Sequence, residues 1–141
     1  MSILKTLTDT TFDSVEGYRR AAEKAEDPNL KSFMFSQADK RERLVTKLNS
    51  ELERRGEPLV TKGTVTGDLH RLWTDVTDLF ENGNEAATER VEEGEDYLAS
   101  KFEAALKNSD LDDECRPIIQ AAYDEIKQDE RIADQLEKKY D

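Results

Sequence analysis

The sequence predicts an all-α protein, a four-helix bundle in which a long crossover joins the second and third helices. Three observations lead to this fold class. Apolar residues recur at steps of three and four over long segments, which is the pattern of amphipathic helices with one buried face. Proline and glycine interrupt those segments at only a few places. No segment has the alternating pattern of a strand.

The first two helices are predicted over residues 2–25 and 28–55, with Asp27-Pro28 as the stop and restart between them. The stripe on the first helix consists of Leu4, Leu7, Thr11, Val15, Tyr18 and Ala22. The stripe on the second consists of Leu30, Phe33, Met34, Gln37, Arg41, Leu44, Leu48 and Leu52. Gly56 suits the C-terminal cap of the second helix. Three polar residues, Thr11, Gln37 and Arg41, therefore continue inward-facing stripes.

The crossover is predicted to contain a short fifth helix over residues 67–80, after a loop and before the break at Asn82-Gly83-Asn84. His70 and Trp73 lie one helical turn apart on it. We expect this pair to anchor the crossover helix to the bundle, rather than to form a reactive site. The apolar face around Trp73 is also where two copies of the chain could pair as a homodimer.

The last two helices are predicted over residues 85–107 and 112–140, with Pro117 one turn inside the second of them. Short connections join the first helix to the second and the third to the fourth, so the helices within each of these two pairs should be antiparallel. The crossover of about 28 residues is long enough to travel the whole bundle, so the second and third helices should run parallel. A four-helix bundle with one long crossover is the ferritin-like arrangement. Residues 1–141 are predicted to form one domain of this kind.

Composition excludes several classes of function. The chain has 141 residues, with 33 Asp and Glu against 21 Lys and Arg, for a formal charge of −12. Such an acidic chain is expected to bind neither nucleic acid nor an anionic membrane surface. No apolar run approaches the roughly 20 residues that span a bilayer. A single cysteine, Cys115, fits the reducing cytosol, so a cytoplasmic location is expected.

The predicted ferritin-like arrangement suggests a metal site as the first candidate for function. Ferritin-like bundles often hold two metal ions with one Glu from each of two helices and a Glu-x-x-His from each of the others. His70 is the only histidine, and no Glu-x-x-His occurs in the chain. The alternative is a carboxylate-only site that would use Glu16, Glu95 and Asp129, and oxygen ligands favour hard ions such as manganese or magnesium over zinc.

Three motifs resemble a bacterial family of ferritin-like four-helix-bundle proteins of unknown function: Glu16-Gly17-Tyr18-Arg19, Leu69-His70-Arg71-Leu72-Trp73 and Gly94-Glu95-Asp96. The run from Val91 to Tyr97 also resembles the third-helix Gly-Glu motif of rubrerythrin-type proteins, which implies a metal-ligand position at Glu95. The family resemblance implies a stress-associated role but no particular reaction. Where the rubrerythrin pattern needs Glu-x-x-His on the second helix, this chain has Arg41-x-x-Leu44.

Arginine is not a metal ligand, and its fixed positive charge repels a dication. We therefore expect a buried polar network at mid-bundle consisting of Thr11, Gln37, Arg41, Glu95 and Asp129. The alternative is that Arg41 extends to solvent and covers the stripe with its methylenes. The favoured function is a non-enzymatic, stress-associated cytosolic bundle with no cofactor, acting through a protein partner or self-association. The alternative is a carboxylate-type protein that binds iron or manganese, or oxidises iron.

Overall fold

The structure is a computed structural model that describes residues 2–61 and 83–140. Four helices fill these ranges: α1 (Ile3–Lys24), α2 (Pro28–Arg54), α3 (Gly83–Lys107) and α4 (Arg116–Tyr140). Neither range contains a strand, so the predicted all-α class is confirmed for them. The predicted crossover helix over 67–80, with His70 and Trp73, lies outside the described residues. None of the four helices is both long and apolar enough to cross a membrane.

The ends of α1 and α2 follow from the local sequence. The side chain of Ser2 accepts a hydrogen bond from the Lys5 amide and caps α1. Asp27 caps α2 in the same way through the Asn29 amide, and Pro28 takes the first position of the helix. Gly56 follows the last turn of α2 with a φ of +72°, the left-handed conformation that glycine adopts without steric cost.

The start of α4 differs from the prediction. The helix begins at Arg116 rather than near residue 112, so Pro117 lies in its first turn and not one turn inside it. The Asp112 carbonyl accepts hydrogen bonds from the amides of Cys115 and Arg116, which closes a separate turn ahead of the helix. Proline has no N–H to donate and is tolerated in a first turn, because those amides have no partner within the helix.

The core consists of two apolar clusters, one toward each end of the bundle. The first joins the start of α1, the end of α2, the end of α3 and the start of α4, through Leu4, Leu48, Phe102 and Ile119. The second joins the opposite helix ends, through Tyr18, Met34, Val91 and Ala133. Hence α1 and α2 are antiparallel, α3 and α4 are antiparallel, and α2 and α3 run in the same direction.

The second end of the bundle is closed by polar contacts. The Asn84 side-chain oxygen accepts hydrogen bonds from the Glu26 and Asp27 amides, at 2.8 and 2.9 Å, and so ties the start of α3 to the α1–α2 turn. The Tyr140 hydroxyl donates to Asp27 at 2.6 Å and holds the end of α4 in place. A Cβ atom on Gly83 would lie 2.2 Å from the Lys24 carbonyl oxygen, so this close approach requires glycine.

Candidate functional site

Buried polar side chains lie between the two apolar clusters, halfway along the bundle. We call this set the polar layer, and its members come from all four helices: Thr11, Ser14, Gln37, Arg41, Glu95 and Asp129. None of them exposes more than 7% of its surface. A polar group this deep is costly unless it is hydrogen-bonded, and a charge must also be paired.

Arg41 is the centre of the polar layer. Its Nη2 atom lies 2.5 Å from Glu95 Oε2 on α3 and 3.0 Å from Asp129 Oδ2 on α4. The arginine side chain is fully buried, as is that of Glu95, and Asp129 is 2% exposed. The guanidinium therefore does not extend to solvent, and one protein cation bridges two buried carboxylates from different helices.

A second pair of charges connects this cluster to the surface. Lys40 Nζ lies 3.1 Å from Asp129 Oδ1 and 3.6 Å from Glu125 Oε1. Glu125 also approaches Arg41 Nη1 at 3.8 Å. Both Lys40 and Glu125 keep about a third of their side chains exposed, at 36% and 35%. Among the described residues, Asp129 thus has two cationic neighbours, whereas Glu95 has one, Arg41.

Tyr18 completes the surroundings of Glu95. The tyrosine is 1% exposed, and its hydroxyl hydrogen-bonds to the Glu95 carboxylate. Burial, together with the charge of Glu95, raises the pKa of Tyr18 well above its usual value. The phenol therefore stays protonated and donates to the carboxylate, as buried tyrosine hydroxyls usually do.

Burial affects the charges of Arg41 and Glu95 differently. Burial lowers the pKa of Arg41, but the carboxylates of Glu95 and Asp129 outweigh burial and raise it. Burial raises the pKa of Glu95 by more than the Arg41 charge lowers it. Arg41 thus stays charged at every accessible pH, and Glu95 is the group of the pair that takes up a proton when the pH falls.

Not every polar atom of the layer is satisfied by the described residues. Arg41 Nε and Nη1, Glu95 Oε1, Asp129 Oδ2 and Ser14 Oγ are buried without a hydrogen-bond partner there. Although Asp129 Oδ2 lies 3.0 Å from Arg41 Nη2, that contact is an ion pair without hydrogen-bond geometry.

The other residues predicted for this site lie apart from its charges. Thr11 is fully buried, but its hydroxyl donates to the Leu7 carbonyl of its own helix at 2.7 Å. Gln37 is buried one turn before Arg41, and in the described ranges it hydrogen-bonds to neither Glu95 nor Asp129.

Glu16 is exposed on α1. It precedes the inward-facing Tyr18 by two residues, and two residues rotate a helix by about 200°. Glu16 therefore faces away from Glu95 and Asp129. The prediction that these three residues share one site is wrong for Glu16.

The arrangement does not fit a bound dication. A guanidinium cannot be deprotonated in a protein, and it already lies within ion-pair distance of both buried carboxylates. A metal ion would have to displace this guanidinium from both carboxylates. The donor set thus matches a salt-bridge network and not a metal centre.

A different set of carboxylates was missed by the sequence reasoning. Glu92 on α3 and Asp134 and Glu137 on α4 place one oxygen each within 4.8 Å of the others. All three are half-buried. Asp134 also pairs with Lys138 at 3.1 Å. The spacing of these residues in the sequence could not predict that they lie close together, because they come from two helices whose relative rotation is determined by packing.

Comparison with known families gives one match. The model of the family described as Domain of unknown function (DUF2383) matches residues 1–108. That range covers α1, α2 and α3, and so includes Arg41 and Glu95 but not Asp129. Neither the curated proteins nor the solved structures include a significant match to this chain.

Proposed function

The chain belongs to the DUF2383 family, and on that premise we propose that it is a non-enzymatic, stress-associated cytosolic protein with a ferritin-like bundle. In this proposal an arginine–carboxylate network takes the place of a metal site. The protein then acts through a protein partner or through self-association, and no cofactor takes part.

The observation that carries the proposal is the position of Arg41. Its guanidinium lies between Glu95 and Asp129 at mid-bundle, 2.5 and 3.0 Å from their oxygens. The resemblance of the Gly94-Glu95 motif to rubrerythrin-type proteins implies that Glu95 stands at a metal-ligand position. A protein cation at that position supplies the positive charge that a metal ion would otherwise supply.

The helix arrangement supports the ferritin-like part of the proposal. The α1–α2 and α3–α4 pairs are antiparallel, while α2 and α3 run in the same direction. That is the connectivity of ferritin-like bundles, as opposed to a simple up-down-up-down bundle.

The charge distribution supports a role through partners. Residues 85–141 hold 18 acidic and 8 basic residues, whereas the remainder is nearly balanced with 15 and 13. A strongly acidic half favours association with a basic partner and steers its approach. A homodimer through the crossover face around Trp73 is the self-association that the sequence suggests.

Metal content is the measurement that tests the proposal. The untagged protein is purified without chelator, challenged with Fe(II) and Mn(II), desalted and analysed by mass spectrometry. We expect far less than one metal ion per chain and no acceleration of Fe(II) oxidation. Near-stoichiometric metal that disappears in Glu95→Ala would overturn the proposal.

One observation favours the alternative, a carboxylate-type protein that binds iron or manganese or oxidises iron. Glu95 Oε1 and Asp129 Oδ2 each lack a hydrogen-bond partner in the described ranges, and carboxylate oxygens suit both ions. Binding there would require Arg41 to withdraw from both carboxylates. The same measurement therefore decides between the two functions.

A further inference from the structure

A groove on the α2 side of the bundle has a charge opposite to that of the whole protein. It has a volume of about 400 Å³ and is lined by Lys40, Arg43, Leu44, Lys47 and Glu125. Of the five described residues that line it, three are basic, in a chain with a net charge of −12. Of these basic residues, Lys40 also pairs with Asp129 of the network, whereas Arg43 and Lys47 contact none of its charges among the described residues.

The sequence of α2 produces this stripe. Lys40, Arg43 and Lys47 are spaced three and four residues apart, so they lie on one face of the helix. From Lys40 to Lys47 the helix rises by about 10 Å. With six Lys and Arg against four Asp and Glu, α2 is the single described helix with more basic than acidic residues.

Two of the three basic side chains are not neutralised. Lys40 contacts Glu125 and Asp129, but Arg43 and Lys47 form no ion pair with any described residue. Both are exposed. Behind the groove, Arg41 Nη1 is buried, has no hydrogen-bond partner in residues 2–61 and 83–140, and lies 3.8 Å from Glu125. Within the described part of the chain, the groove thus combines two cations without an ion pair, Arg43 and Lys47, with a buried guanidinium that faces the Glu125 carboxylate.

We propose that this groove binds a small anion of the phosphate class, such as a diphosphate or the phosphate chain of a nucleotide. Three cations along about 10 Å suit several linked negative charges better than one carboxylate. A concave site of this volume fits a small molecule rather than a protein helix. Arginine and lysine together are common partners of phosphate oxygens.

Glu125 determines how tightly the groove binds. Its carboxylate pairs with Lys40 at 3.6 Å, and it carries the one negative charge among the described lining residues. An incoming anion must compete with it for Lys40 and is repelled by it. Replacing this carboxylate by an amide should therefore strengthen binding, whereas removing a cation should weaken it.

Calorimetric titration of the full chain with pyrophosphate at low ionic strength tests the inference. We expect saturable binding that weakens as salt is added. Arg43→Gln and Lys47→Gln should each weaken binding by about fivefold or more, which is the effect of one unit charge at about 4 Å in a water-like dielectric. Glu125→Gln should strengthen it by a similar factor.

The matched control is the pair Arg20→Gln and Lys24→Gln. These exposed basic residues have the same i,i+4 spacing on α1 but line neither of the described pockets. The control should leave the dissociation constant within twofold of the wild-type value. Circular dichroism verifies that every variant is folded.

Separate titrations with a nucleoside triphosphate and with a glutamate-rich peptide identify the ligand class. Tighter binding of the nucleotide than of pyrophosphate indicates that the base also contacts the groove, and equal binding indicates that the phosphates suffice. The inference is wrong if pyrophosphate does not bind, if only the peptide binds, or if the groove and control variants lose affinity equally. It does not depend on the absence of a metal centre.

Discussion

Replacing Arg41 by methionine isolates the contribution of the buried cation. Methionine keeps an unbranched, apolar side chain in the core but removes the guanidinium that contacts Glu95 at 2.5 Å and Asp129 at 3.0 Å. Asp129 keeps Lys40 at 3.1 Å, so the loss falls mainly on Glu95, which is fully buried and, among the described residues, retains the Tyr18 hydroxyl as its partner. Breaking a buried ion pair in this way costs about 3–5 kcal/mol.

The loss should depend on pH. Burial already raises the pKa of Glu95, and without Arg41 the pKa rises further. A raised pKa means that the folded state holds this proton more strongly than the unfolded chain does. Protonated Glu95 therefore costs the folded state nothing at a pH below its pKa in the unfolded chain. As the pH rises from there through the pKa of Glu95 in the folded state, stability is lost. Arg41→Met should lose most stability at pH 7 and less near pH 5.

Urea unfolding followed by circular dichroism at both pH values measures this loss. Arg43→Met is the matched control, because Arg43 is exposed on the same helix and should change the unfolding free energy by at most about 0.5 kcal/mol. Adding Glu95→Gln to Arg41→Met removes the uncompensated charge and should recover part of the loss. A loss below about 1 kcal/mol at pH 7, or one that is equal at both pH values, would refute this reasoning.

Three further predictions concern the end of the bundle closed by Asn84. Gly83→Ala places a Cβ 2.2 Å from the Lys24 carbonyl oxygen and should cost about 1–3 kcal/mol of unfolding free energy; an unchanged urea midpoint would contradict the close approach. Asn84→Ala leaves two backbone N–H groups of the α1–α2 turn without their acceptor and should cost about 1–2 kcal/mol, whereas a neutral effect would contradict the capping role. Tyr140→Phe removes the hydrogen bond that lowers the pKa of Asp27, so that pKa should rise toward its usual value in a carbon-detected NMR titration, and an unmoved pKa would rule out the contact.

The apolar periodicity of the sequence predicts the helices well because one face of each helix must be buried. Leu4, Leu7, Val15 and Tyr18 on α1 are all buried as their spacing predicts. The same reasoning predicts that Arg41 faces inward, because it continues the stripe between Met34 and Leu48 on α2. A charged residue on such a stripe is informative, since the helix cannot rotate it outward without exposing its apolar neighbours.

The stripe could have excluded Glu16, because this residue lies about 200° from Tyr18 around α1. Other details of the polar layer could not be predicted in the same way. The contact of Lys40 with Asp129 depends on how α2 packs against α4, and a half-exposed lysine leaves no periodic signal. The start of α4 was misplaced because acidic residues ahead of Pro117 suit a first turn as well as a separate turn.

The central claim is that the Arg41 guanidinium is buried and held by Glu95 and Asp129. Proton exchange of the arginine side-chain N–H groups, followed by NMR at neutral pH, tests it most directly, because buried and bonded protons exchange slowly with water. We predict slow exchange for Arg41 and fast exchange for the exposed Arg43 in the same spectrum, with the protection of Arg41 reduced in Glu95→Gln. Equally fast exchange at Arg41 and Arg43 would contradict the buried network.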